Sequence, residues 1–402
     1  MNTLKFGNGE WYGKKDTILA YNDENSNYKP LPFNFERDSK ATVINKDGLI
    51  EEVGSGQPRV DYLNNTKGAL KLEPSRTNLV TYSNGFTDSS WLPTGATVVS
   101  GVISPDGTSN AFTLSNTASS GIIQKAVSLT GLRVVSIFAK KGTHRYLRIG
   151  AYGGTNSYAN FDLENGVVAD GANANIEDYG NGWFRCICHS ADGATGGVQI
   201  FASNNTTGAA TTNGSIQIYG VQLEEGSYAT SYIPTSGSAV TRLADVCLKE
   251  DINTSIINSS YPFSMYAEST YIGGNKNVLS FSKKVVSNNY YQITINTNEV
   301  MLDARANGST ELIESGVTLL DGQKFKVAVT MESATSGKIC VNGNTVVSKT
   351  NFSNQAVNND INDLLLGQLR VPLDTGERLP VTDVRLYNTA LTDQELIALT
   401  QV

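Results

Sequence analysis

His144 and His189 are the only imidazoles in a chain of 402 residues, so any histidine-based acid–base chemistry must run through them. A Ser-His-Asp relay also needs its serine on a sharp strand-to-helix elbow, and no Gly-x-Ser-x-Gly sequence supplies one. His144 follows Gly142-Thr143 in a predicted turn, where an exposed, idle ring is expected. His189 closes a predicted strand and is expected to pack or to face solvent. Cleavage of a glycosidic bond needs two carboxyl groups roughly 5–10 Å apart. The adjacent pair Glu224-Glu225 would point to opposite faces of a strand, and a solvated strand end is the expectation there. Metal chemistry is no better provided for. The four cysteines, Cys186, Cys188, Cys247 and Cys340, include no Cys-x-x-Cys pair. Cys186 and Cys188 would share one face of one strand, a poor geometry for a mutual disulfide, and all four are expected to be small buried hydrophobes. Asp360, Asp363 and Asp374 lack the spacing of a calcium loop and are expected to be solvated acids. No catalytic residue, metal or cofactor is therefore assigned.

Recognition of sugars is the chemistry the residue types do permit. A sugar ring offers an apolar face to an aromatic ring, while Asn, Asp and Gln fix its hydroxyls. Trp91, in the polar stretch Thr87-Asp88-Ser89-Ser90-Trp91, is expected to be exposed and available for such stacking. Tyr228 and Tyr232 are further candidates. Trp183, between a glycine turn and an alternating strand, is expected in the core. Charged residues make up 17% of the chain, with a net charge of -7. No run of Lys or Arg is long enough to track phosphates, so nucleic acid is not an expected partner. No stretch reaches the ~18 apolar residues of a membrane span.

The elements needed to position such residues are strands. Segments 133–140 and 146–152 are rich in β-branched and aromatic residues, and Lys141-Gly142 between them suggests a hairpin. Further strands are expected at 157–162, 183–189, 198–202 and 215–223. A second series follows at 263–270, 276–282, 290–296, 324–331, 338–341, 345–348, 364–368 and 381–387. The sequence Ile339-Cys340-Val341-Asn342-Gly343-Asn344-Thr345-Val346-Val347 has the Asn-Gly signal of a tight turn. Only 392–401 is expected to be helical, with Thr392 as N-cap and Glu395 completing a capping box. The fold expected is all-β: tandem β-sandwiches of jelly-roll type after an extended N-terminal segment. The expected boundaries are 1–78, 79–240 and 241–402, the first segment folding only against partners.

Three stretches carry resemblances. Phe33-Asn34-Phe35-Glu36-Arg37-Asp38, with Pro58-Arg59-Val60-Asp61-Tyr62 and Leu70-Lys71-Leu72-Glu73-Pro74-Ser75-Arg76-Thr77-Asn78-Leu79, resembles the N-terminal segment of phage tail, fibre and spike-like proteins. The run from Gly214 to Thr235, containing Gln222-Leu223-Glu224-Glu225-Gly226 and Tyr228-Ala229-Thr230-Ser231-Tyr232-Ile233-Pro234, is similar to phage carbohydrate-binding-like jelly rolls, as is Asn181-Gly182-Trp183-Phe184-Arg185-Cys186. Val381-Thr382-Asp383-Val384-Arg385-Leu386-Tyr387 and Ala390-Leu391-Thr392-Asp393-Gln394-Glu395-Leu396 resemble the concanavalin A-like, laminin-G-type sandwich. Hydrolases of that type commonly carry Glu-x-Asp-x-x-Glu on one strand, and this chain has no such run.

These resemblances imply a structural subunit of a bacteriophage particle, a head or tail fibre or capsid decoration. Phe33, Phe35, Arg37 and Arg59 would then attach it to the virion. Its expected partners are other virion proteins of the capsid or tail, further copies of itself (a homotrimer before a dimer) and host-surface or environmental glycans. The N-terminus has no apolar export core, so the expected location is the virion, reached through the host cytoplasm. The alternative is a polysaccharide depolymerase, although no β-helical rung repeat is evident.

Overall fold

The computed structural model describes the strands Thr3–Gly7, Trp11–Lys14 and Thr17–Ala20, and then residues 33–128, 131–152, 157–171, 173–190, 196–206, 213–251, 261–282, 289–306, 309–352, 362–367 and 377–402. Their regular structure is almost entirely strand, with one helix among the described residues, Asp393–Thr400. The chain divides into two compact units, neither continuous in sequence. A middle unit comprises Lys40–Glu52 and Ser75–Arg242; a terminal unit comprises Met1–Ser39, Val53–Pro74 and Leu243–Val402.

The middle unit is a sandwich of two six-stranded antiparallel sheets. One contains Ala96–Val102, Ala111–Asn116, Gly214–Glu225, Arg133–Lys141, Trp183–Ser190 and Ala174–Asp178, in that spatial order. The other runs Leu92–Thr94, Ile122–Ala126, Gly197–Ser203, Tyr146–Tyr152, Ser157–Asp162 and Val167–Asp170. Alternate residues of both sheets, such as Ile137, Leu147, Ile149, Phe161, Ile200 and Ile218, fill the space between them. The hairpin expected at Lys141-Gly142 is not one. Arg133–Lys141 pairs with Trp183–Ser190 and Gly214–Glu225, whereas Tyr146–Tyr152 pairs with strands of the opposite sheet. The connection is a corner between sheets, where a Cβ on Gly142 would lie 2.4 Å from the Ser215 carbonyl oxygen. His144 is buried in this corner, contrary to the exposed ring expected, with its imidazole against Gly214.

The terminal unit holds an eight-stranded and a ten-stranded sheet. Phe263–Thr270, Lys324–Ser333 and Val381–Tyr387 are neighbours in the first; Lys276–Ser282, Tyr290–Asn296, Glu299–Ala306 and Asp363–Leu366 belong to the second. The helix covers the outer side of the first sheet, where Leu391 and Leu396 pack with Tyr266, Cys340 and Tyr387. Its N-cap is Thr392, and Glu395 closes the capping box. The Asn342-Gly343 turn forms with both residues at positive φ, 53° and 70°. Its second strand starts at Val347, two residues later than expected.

The expectation of an extended arm is corrected. Phe33–Glu36 pairs with Val246–Lys249, and Thr3–Gly7 pairs with Val381–Tyr387, so the N-terminal residues are strands of the terminal unit's own sheets. Alternation sends Phe33 and Phe35 into its core and leaves Asn34 and Glu36 outside.

Candidate functional site

The four residues expected to attach the chain to a virion are interior: Phe33 is 0%, Phe35 1%, Arg37 3% and Arg59 0% exposed. The reason is charge pairing as well as packing. Arg59 donates to Glu73 at 2.6 Å and to Asp245, and Arg37 donates to the other oxygen of Asp245 at 3.0 Å. Asp245 also accepts from the Glu73 amide at 2.8 Å, and Arg37 reaches the Gly54 carbonyl at 2.7 Å and that of Ser39 at 2.9 Å. Two arginines and two carboxylates thus pin together the segments around 37, 54, 59, 73 and 245. The motif resembling phage N-termini encodes this internal clasp, and all four side chains are buried within the chain itself.

The candidate sugar-stacking residues meet the same fate. Trp91 is 2% exposed, not exposed as expected: its indole N–H donates to the Tyr82 carbonyl at 3.1 Å, and its ring packs on Phe86. The surrounding polar run is a set of turns, and only the tryptophan points inward. Tyr232 is 3% exposed, shares a hydrogen bond with Ser83 at 2.7 Å and packs edge-on against Phe138 and Tyr219. Tyr228, 9% exposed, lies beneath the Arg76 guanidinium. Trp183 is in the core, as expected. Glu224, expected to be solvated, is 0% exposed and accepts from the Thr230 amide, the Thr230 hydroxyl and the Gln222 amide at 2.7, 2.6 and 2.9 Å. Gln222 accepts from the Ile233 amide, and Arg185 donates to the Thr230 carbonyl. The run from Gly214 to Thr235 is therefore a strand with a return segment laid over the outer face of its own sheet.

Among the described residues, no such return segment lies over the outer face of the middle unit's other sheet. The positions alternating with the core residues of its strands include Gln124, Tyr146, Arg148, Tyr152, Tyr158, Gln199 and Phe201, all partly exposed, while Asn160 and Asp162 on the same face are buried. Register brings them together: Gln199 sits opposite Gln124 and Gly150, Gly150 opposite Tyr158, and Arg148 opposite Phe201. Gly150 is required, since a Cβ there would lie 2.0 Å from the Ser157 carbonyl oxygen and 2.7 Å from the Tyr158 ring, which folds across it. Tyr152 crosses Gly196 in the same manner, at 2.5 Å from such a Cβ. The Tyr158 hydroxyl donates to Gln199, whose own amide donates to Gln124 at 2.8 Å. Arg148 stacks over Tyr158 at 4.3 Å and over Phe201 at 5.5 Å. Burial pushes the Tyr158 phenol above its ordinary pKa, which keeps it a proton donor. The result is a ringed platform of tyrosine and phenylalanine bordered by side-chain amides and a guanidinium. None of the seven side chains is a carboxylate; Asp162, opposite Tyr146 on the same face, is buried and paired with Arg145. The sequence signal that finds it is the alternation itself, Tyr146-x-Arg148-x-Gly150-x-Tyr152 on a strand whose other residues are apolar.

One loop of this unit carries a pH-sensitive group. Burial alone would raise the Asp106 carboxyl, but hydrogen bonds from Ser104, Asn110 and Thr108 overcome it and hold the pKa at about 2. Tyr219 also donates to it, at 2.9 Å. A depressed folded-state pKa contributes stability that is complete above the unfolded value of ~3.9 and fades as pH falls through about 2. Asp106→Asn is therefore expected to melt below the wild type at pH 6, with the gap closing towards pH 2. Thermal scans across that range check it; a gap independent of pH would refute the role of the charge.

The four cysteines are buried and free. No cluster of metal-ligating residues occurs among the described residues. Asp363 accepts from the Asp251 amide at 3.2 Å, while Asp360 and Asp374 lie outside the described residues.

Comparison with known proteins places residues 245–397 on the family model described as the concanavalin A-like lectin/glucanases superfamily. No curated protein matches the chain. Among solved structures, the NanB sialidase from Streptococcus pneumoniae in complex with 2-[(3-chlorobenzyl)ammonio]ethanesulfonate is 20% identical with a TM-score of 0.32, over 37% of this chain and 25% of that one. The chain thus spans about a quarter of that sialidase's length. Ruminococcus gnavus IT-sialidase CBM40 bound to alpha2,3 sialyllactose is 16% identical with a TM-score of 0.31, over 35% of this chain and 82% of that one. The native heptameric SAP-like pentraxin from Limulus polyphemus is 12% identical with a TM-score of 0.28, over 34% and 69%.

Proposed function

We propose that this protein is a non-catalytic structural subunit of a bacteriophage particle, a fibre or decoration protein that displays β-sandwich units and holds glycans on the open sheet face of the middle unit. The observation that carries the glycan reading is the platform of Tyr158, Tyr152 and Phe201 with Gln199, Gln124 and Arg148. Flat rings supply the apolar contact and the amides supply hydroxyl partners, the combination that sugar recognition needs. The match of 245–397 to a lectin and glucanase superfamily supports a carbohydrate context for the second sandwich. The phage reading rests on the sequence resemblances alone.

Single contacts of this kind are weak, and repeated display on a particle would raise their avidity. An array of immobilised glycans probed with the full chain is the test. Retention by a defined set of glycans is expected, with a loss of roughly tenfold or more for Tyr158→Ala, since stacking an aromatic ring on a ligand typically contributes on the order of 1–2 kcal/mol. Binding that survives both Tyr158→Ala and Phe201→Ala would remove the platform from the reading. New reducing ends released from the bound polysaccharide would establish the depolymerase alternative. Antibody labelling of purified particles tests the virion assignment; unlabelled particles would end it.

A further inference from the structure

A sheet edge presents unpaired N–H and C=O groups, and folded proteins usually blunt it with charge, proline or a bulge. Among the described residues, most sheet edges are blunted in that way. Ala174–Asp178 carries Glu177 and Asp178, Val167–Asp170 carries Asp170, and Leu92–Thr94 contains Pro93. In the terminal unit, Ser309–Thr318 carries Glu311 and Glu314, Val347–Thr350 carries Lys349 and Trp11–Lys14 carries Lys14. Ala96–Val102 differs. It is the outer strand of its sheet, pairing with Ala111–Asn116, and it holds neither a charge nor a proline. The whole stretch from Ser89 to Pro105 is uncharged. Ala96 and Val98 pack on the core, while Val99 is 62% and the following Ile103 57% exposed. The register shift between Ser100 and Val102 bends only the far end, leaving Ala96 to Ser100 regular.

We propose that Ala96 to Ser100 is a self-association edge, to which a second copy of this chain adds its own Ala96 to Ser100, antiparallel across a twofold axis. The charge pattern selects this occupant. In an isologous antiparallel pair each strand faces its own sequence, so an edge bearing Glu or Lys would set like charges close together. Copies with a net charge of -7 also repel, and this neutral strand is the edge where contact adds least to that repulsion. The exposed Val99 side chains then gain cover on the shared sheet surface. An edge used this way makes a dimer, because a twofold contact consumes it in both copies. This inference is independent of whether the platform binds sugar.

Sedimentation velocity of the full chain over a concentration series tests it. The wild type is expected to be a dimer and Val99→Lys a monomer, the dissociation constant rising roughly tenfold or more. Leu320→Lys, at another exposed apolar position (74% exposed), is expected to leave the dimer intact. Hydrogen exchange on the wild type supplies a second readout that needs no variant: amides 96–100 should become more protected as concentration rises. A wild type that is monomeric or trimeric throughout, a folded Val99→Lys that still dimerises, or exchange at 96–100 independent of concentration would each overturn the proposal.

Discussion

Arg59→Ala is expected to destabilise the terminal unit by about 3–5 kcal/mol, the usual cost of removing one partner from a buried ion pair. Arg59 is 0% exposed, and its guanidinium bridges Glu73 and Asp245. Its removal leaves two carboxylates facing each other in the interior, with Arg37 on Asp245 as the remaining arginine among the contacts described above. The pairing is what keeps the arginine charged: burial opposes the guanidinium's proton, but the two acids more than offset it and raise its pKa. Arg59→Lys is expected to recover only part of the loss, because an ammonium cannot present two parallel donors to two acids. Chemical denaturation followed by tyrosine fluorescence and circular dichroism would read both variants. With two units the curve need not be two-state, and the transition of the terminal unit should be the one that shifts. A loss below about 1 kcal/mol, the scale of exposed pairs, would contradict the buried clasp.

Asn78→Ala is the second large effect and belongs to the middle unit. The Asn78 side chain is 0% exposed and makes four hydrogen bonds to backbone. Its amide donates to the carbonyls of Val221 and Ile233 at 3.2 and 2.9 Å, and its oxygen accepts from the amides of Val80 and Leu223 at 3.1 and 3.2 Å. One side chain therefore joins the short strand Arg76–Asn78, the long strand Gly214–Glu225 and the return segment that covers it. Truncation strands up to four buried backbone groups at ~1–3 kcal/mol each before relaxation, so a net loss of about 3–5 kcal/mol is expected. Asn78→Asp should also be strongly destabilising, since a carboxylate cannot donate to the two carbonyls. Thermal melts compared with Thr77→Ala, a half-buried neighbour whose hydroxyl meets Thr241, would show whether the cost is specific to the hub.

Much of the fold was legible in the sequence, because a strand's two-residue period survives in the residues themselves. Phe263–Thr270, Lys276–Ser282, Tyr290–Asn296 and Val381–Tyr387 fall at the expected positions. Pairing was not legible. Gly142 marks a corner rather than a hairpin because sheet membership depends on partners distant in sequence. The boundary expected at 240/241 lies close to the division at Arg242/Leu243, but the N-terminal one was not legible for the same reason: 33–39 and 53–74 belong with 243–402 through strand pairing and the Arg37–Asp245–Arg59–Glu73 clasp, which no local pattern announces.

The candidate site was misplaced in an instructive way. Tyr228, Tyr232, Arg37 and Arg59 stand in motif-like runs, and in the structure each contacts its own unit rather than solvent. Their burial follows from those contacts. Trp91 was misjudged from polar neighbours that are turn residues capping one another, as Ser90 and Asp88 do. The platform residues sit on unremarkable strands, and only register across Gly150 shows that Tyr158, Gln199 and Phe201 converge.

The most direct measurement is a crystal structure of the full chain soaked with the strongest glycan from the array. Density for a sugar ring within about 4–4.5 Å of the Tyr158 or Tyr152 ring, with its hydroxyls on Gln199 or Gln124, is the expected result. Ligand density confined to the terminal unit, or none at a concentration that saturates binding in solution, would contradict the glycan platform.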